Sequence, residues 1–276
     1  MRVLGRRRLR HRAPRTGPAP ARGSVRVELP EAPEPTAGGV WAADAQPRPA
    51  PLTLPLTQGA PPWAFPAAAS AAFLAAMDAA PPGAVLDVQQ GGEGGGEHAL
   101  LAAVYSTRPV RALAPDAARA HATRQAAATN ALPVVVEERA LTAESAHERG
   151  ETLDAYVART ALEPAVLRLA DPHGAAGLLA GARRLLAHRR PWVVLGAGSP
   201  AGGPLPAVLA DLGYAPLGSG VLAPGGTAGA AFELRSLAWR QALATMTDET
   251  PDGRPDETAS ADPAGVELRD PADAVS

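Results

Sequence analysis

AVLDVQQGGEGGGEHALLAAVY, residues 84–105, is the stretch whose reading decides the architecture. Ala84 to Val88 is a short apolar run with Pro-Pro-Gly before it and a glycine-rich stretch after it, the pattern of a buried strand. His98 to Tyr105 carries apolar residues at helical spacing. A strand, a glycine loop and a helix in this order make the first half of a crossover unit, which returns the chain to a second strand parallel to the first. Glycines at such a junction let backbone approach a ligand closely and aim its amides at it.

The same alternation extends on both sides. Upstream, Ala67 to Ala80 is alanine-rich with Phe73, Leu74 and Met77 at helical spacing. Downstream, Val110–Leu113, Val134–Glu138, Ala165–Asp171 and Pro191–Leu195 read as strands. Helices are expected over 116–132, over 152–160 behind an N-cap threonine, Thr152, over 177–188, and over 204–213 up to Gly213. YAPLG, GVLAP and AAFELRSL are expected to close the sheet as strands. Strands separated by helices of this length imply an α/β three-layer sandwich with a mostly parallel sheet, Rossmann-like in class. The domain is expected over residues 61–246. Before it, residues 1–60 are Arg- and Pro-rich and read as a disordered extension; after it, 247–276 are acidic and Pro-rich and read as a disordered tail.

Composition narrows the chemistry. The 276 residues carry a net charge of -2 and no cysteine, so disulfides and thiolate chemistry are excluded. There is no lysine and no isoleucine, and Asn130 is the single asparagine, a bias that matches a GC-rich genome and makes arginine enrichment a poor sign of nucleic-acid binding. Arg2, Arg6, Arg7, Arg8, Arg10, Arg12 and Arg15 nevertheless occur without an intervening acid, an arm suited to an anionic partner. No apolar run is long enough for a membrane span and no secretory signal follows the basic start, so a cytoplasmic location is expected. His11, His98, His121, His147 and His188 lack metal-ligand spacing, and no metal site is expected.

In an open parallel sheet, ligands bind beyond the carboxyl ends of the strands. Asp87, Gly91, Gly94 and Gly96 follow or end the first strand and are the candidate cofactor loop. The second strand ends in Ala114 where a ribose-binding carboxylate is expected; Asp116 lies two residues on, as a substitute ligand or as the N-cap of the next helix. Glu138 ends the third strand. Asp171 and His173 stand together after the fourth, where an imidazole can take a proton from a hydroxyl, although a surface histidine at a turn is the commoner meaning of Asp-x-His. LGAGSPAGG after the fifth strand reads as a tight turn, because no acid follows at dinucleotide spacing.

The order of these pieces resembles the FkbM family of S-adenosylmethionine-dependent methyltransferases over Phe73 to Leu222. GAVLDVQQGGEGGGEHALLAA is similar to the family's VLDVGANxGxxSLLAA, VRALAPD to VxAFEPxP, and TLDAYV to TLDDL. AVLRLADPHGAAGLLAGARRLLAHRRPWVVL is similar to LIKIDVEGAExxVLxGAxxxLxxxRPxLLLE, and ADLGY to RELGY. The resemblance implies the class I methyltransferase-like fold and an O-methyltransferase acting on a hydroxyl of a small metabolite or sugar. Asp87, Gly94 and Gly96 would hold the methionine part and Asp116 the ribose, Gly91 and Glu138 would complete the cofactor site, and Asp171 and His173 would orient or deprotonate the acceptor. Ala114, His173, Ala176 and Gly196 replace acidic residues of the family pattern. Each charge-assisted hydrogen bond lost to a cofactor costs about 1.5–3 kcal/mol, which gives the alternative of a catalytically inactive binding or scaffold protein on the same fold.

Overall fold

The computed structural model describes residues 24–33, 49–55, 63, 65–91, 96–143, 151–196, 207–225 and 229–248. The elements follow in the order β1 (Ser24–Val27), β2 (Leu52–Pro55), α1 (Ala67–Ala79), β3 (Ala84–Val88), α2 (Glu97–Tyr105), β4 (Val110–Ala114), α3 (Ala117–Thr129) and β5 (Val134–Glu138). They continue with α4 (Leu153–Thr160), β6 (Pro164–Leu169), α5 (Ala175–Ala180), α6 (Arg183–His188), β7 (Trp192–Leu195), α7 (Ala207–Asp211), β8 (Tyr214–Gly218), β9 (Val221–Pro224) and α8 (Gly229–Asp248).

Strands β3 to β9 form one sheet in the order β5-β4-β3-β6-β7-β9-β8. Its first five strands are parallel, and β9 is antiparallel to both β7 and β8. Alternation along the strands feeds two cores. Val85, Val166, Trp192 and Val194 face α1, α2, α3 and α8, while Leu86, Val88, Leu167, Leu169, Val193 and Leu195 face α4, α5, α6 and α7. With both faces covered, the central strands β3, β6 and β7 are buried throughout, which explains why they read as continuous apolar runs. Between β3 and β6 the strand order reverses, which places the crevice for a ligand beyond Val88 and Leu169. Among the described residues no helix is long and apolar enough to cross a membrane.

Three sequence expectations change. The folded domain does not begin near residue 61: β1 and β2 pair antiparallel, and Leu29, Leu52 and Leu54 join the core under α3. Asn130 ties β2 down, accepting from the Thr53 amide at 2.7 Å and donating to the Thr53 carbonyl at 2.8 Å, while Tyr105 Oη donates to the Pro30 carbonyl. Residues 1–23, 34–48 and 249–276 lie outside the described residues. AAFELRSL is not a strand but the start of α8, because Phe232, Trp239 and Leu243 recur at helical spacing and cover α1. The helix expected over 177–188 divides at Gly181 and Ala182. There a side chain on Gly181 would come within 3.0 Å of the Ala143 carbonyl, and the Asp154 carboxylate receives the Arg184 and Leu185 amides that open α6.

The α1–α8 contact encloses a carboxyl group. The Asp78 side chain is 2 % exposed, accepts from the Trp239 indole at 2.8 Å, and has Arg235 at 3.6 Å; its Oδ1 has no partner among the described residues. Burial pushes its pKa up to about 7, and the Trp239 and Arg235 contacts offset only part of that shift. The native state therefore holds a proton between the ordinary carboxylate range and pH 7 that the unfolded chain releases. Stability from this group is full below about pH 4 and falls as pH rises through 7, by at most about 4 kcal/mol. The thermal midpoint of Asp78→Asn, followed from pH 4 to pH 8, is expected to show a flatter decline than the parent protein; parallel profiles would refute this.

Candidate functional site

The carboxyl edge between β3 and β6 is built from the ends of the two strands and the turns that follow. Asp87 and Arg168 are register partners on these strands and project from the same face of the sheet as Val85 and Val166. Asp87 is 0 % exposed, with Arg168 Nη1 donating to Oδ1 at 2.7 Å and Gln89 Nε2 donating to Oδ2 at 3.3 Å. Both carboxylate oxygens are thus engaged within the protein. The Arg168 charge also acts on His98, in the first turn of α2. Burial first, and Arg168 second, hold that imidazole's pKa well below its ordinary value, so it is neutral at pH 7.

The glycines adopt the backbone that their position demands. Gly91 has φ +72°, and a Cβ on it would lie 2.5 Å from Asp171 Oδ2. Gly96, at φ +96°, is the N-cap of α2, and a Cβ there would lie 2.5 Å from Thr123 Oγ1. Gly94 lies outside the described residues.

Asp116 is the N-cap of α3, its Oδ1 receiving the Arg119 amide at 2.8 Å. From the same turn Arg119 Nη1 reaches back 2.9 Å to the Gln89 carbonyl, spanning the gap between the ends of β3 and α3. Ala114 is fully buried. Glu138 is exposed at the end of edge strand β5; its neighbour Glu137 points to the other face and binds Arg111 and the Tyr156 hydroxyl, both at 2.8 Å. Asp171 closes a turn on itself, Oδ1 receiving the His173 amide and Oδ2 the Gly174 amide at 2.8 and 2.9 Å. The residue His173 is exposed. Past β7, a side chain at Gly196 would collide with the Ala170 carbonyl.

The candidates therefore divide. Asp171 and Gly91 meet at the switch point, and Asp171 flanks a cleft of about 320 Å³ that also touches Gln90, Leu141 and Gly174. Asp87, Asp116, Glu138 and His173 do not line it. Gln90 forms its floor by mimicking a strand partner: its amide donates to the Leu141 carbonyl and accepts from the Leu141 amide, both at 2.8 Å. A larger groove of about 670 Å³ lies between α4 and α6 on the outer surface of the sandwich, apart from this edge. Among the described residues no group of three potential metal ligands occurs. No protein-family model matches the chain, and no curated protein matches it.

Sequence reasoning missed Arg168, Gln89, Gln90 and Arg119. A signal for the first was present: AVLDV and AVLRL each carry one charge inside an otherwise apolar run, and two such charges in central strands must meet. Breaking the pair leaves an uncompensated buried charge. Arg168→Met is expected to lose about 3–5 kcal/mol in denaturant unfolding, with Asp87→Leu/Arg168→Met recovering most of it. Equal losses in the single and double variants would show that the pair is not coupled.

Proposed function

We propose that this chain is a class I methyltransferase-like protein of FkbM type that works as a binding module and does not transfer methyl groups. The observation that carries this reading is Ala114, fully buried where the family pattern has an acid. The carboxylate at the place of the family's first motif is wholly buried and already accepts from Arg168 and Gln89. The rest of the edge supports it. The Asp116 and Asp171 oxygens cap backbone amides. The residues present do not fit S-adenosylmethionine.

The fold side of the proposal rests on strand order. The run β5-β4-β3-β6-β7 is the 3-2-1-4-5 order of doubly wound sheets. The antiparallel β9 between β7 and β8 departs from the dinucleotide-binding order in the manner that the resemblance to class I methyltransferases leads one to expect. A second reading, an active S-adenosylmethionine-dependent O-methyltransferase, is favoured by the left-handed glycines Gly91 and Gly96 beside the switch point and by Asp171 at its cleft. The arginine-rich arm within residues 1–16 would supply a cationic contact to an anionic partner of the binding module.

Calorimetric titration of the full chain with S-adenosylmethionine, and with its demethylated product, separates the two. No heat of binding is expected up to about 1 mM ligand. Micromolar binding that Asp87→Ala abolishes would overturn the proposal in favour of the enzyme. Deleting residues 1–16 is expected to remove retention on an immobilised polyanion without moving the thermal midpoint; unchanged retention would exclude a role for the arm.

A further inference from the structure

Helix α8 has two faces, and among the described residues only one is packed. Phe232, Arg235, Ser236, Trp239 and Leu243 are buried against the α1 side of the sandwich. On the opposite side Ala230, Leu234, Leu237, Gln241 and Ala244 are exposed, with Leu234 at 61 % and Leu237 at 51 %. Their spacing of four, three, four and three residues is the a/d seam of a coiled coil, in which such a stripe faces a second helix. Two charges edge the seam on one flank, seven residues apart: Glu233, with no partner among the described residues, and Arg240, steadied by Ser219 and Ser236 at 3.0 and 3.3 Å.

We infer that α8 of a second copy of this chain covers the stripe, antiparallel and about a two-fold axis. In that arrangement Leu234 packs on Leu237 of the other copy, Ala230 faces Gln241, and Glu233 meets Arg240 twice by symmetry. The seam is thus complementary to itself in shape and in charge, as an isologous contact requires. Ala231 and Ala238 on the other flank are small enough to let the helices approach. The seam is about 21 Å long at 1.5 Å per residue, a contact at the small end of specific interfaces, so the association is reversible and depends on concentration. It does not depend on whether the crevice beyond β3 binds a cofactor.

Sedimentation velocity of the full chain from about 1 to about 200 µM tests this. The parent protein is expected to pass from 28.0 kDa to twice that mass. Glu233→Arg and Arg240→Glu, each alone, are expected to weaken association at least tenfold, and the double exchange to restore it to within about threefold. Leu237→Glu is expected to leave a monomer with an unchanged thermal midpoint. A parent protein monomeric throughout, a dimer that survives Leu237→Glu, or a double exchange that restores nothing would overturn the inference. The charge exchange sits on exposed positions and keeps the test decisive if Leu237→Glu fails to fold.

Discussion

Two opposite charges, Asp87 and Arg168, lie side by side in the middle of a sheet whose neighbouring positions are all apolar. Removing them from water is costly, and only their contact at 2.7 Å makes it tolerable. A slip of one residue between β3 and β6 would turn one charge toward the opposite core and leave the other unpaired, so the pair acts as a register key for the two strands that define the switch point. Its influence spreads outward. Gln89 spends its amide on Asp87, His98 stays neutral beside Arg168, and the turn from Gly91 to Asp171 is held where the two strands end together.

The parallel part of the sheet was legible in the sequence because burial on both faces writes each strand as a continuous apolar run, and glycines or capping residues punctuate the ends. Asp116 as an N-cap and Gly91 and Gly96 as left-handed positions follow from the same local rules. What escaped depends on distant contacts. Leu52 and Leu54 sit in a proline-rich context that disguises a strand, and only the exposed side of α3 gives them a place to pack. AAFELRSL alternates over a few residues like a strand, and its helical period appears only when Trp239 and Leu243 are included. The break inside the 177–188 helix depends on Asp154, thirty residues away in the chain.

That residue changes the meaning of a motif. TLD in TLDAYV opens α4 through Thr152, whose hydroxyl receives the Ala155 amide, and opens α6 through Asp154. Two helix starts are satisfied by side chains two residues apart, which aligns α4 and α6 and shapes the groove between them. A motif of this kind is preserved by packing alone, whatever happens at the crevice. The groups that start these two helices, Thr152 and Asp154, are not among those that line the cleft at the switch point.

Asn130 carries a liability of its own. Its side-chain amide faces two carbonyl oxygens, those of Thr53 and Ala126, at 2.8 and 2.7 Å, and it is the only asparagine in 276 residues. Slow hydrolysis of that amide to a carboxylate would replace two donors with an acceptor aimed at two acceptors. The bond to β2 would turn from attraction to repulsion with no change in shape and a gain of one negative charge. Asparagine deamidation in this protein is thus confined to one nitrogen, and it would act on the tie between α3 and β2.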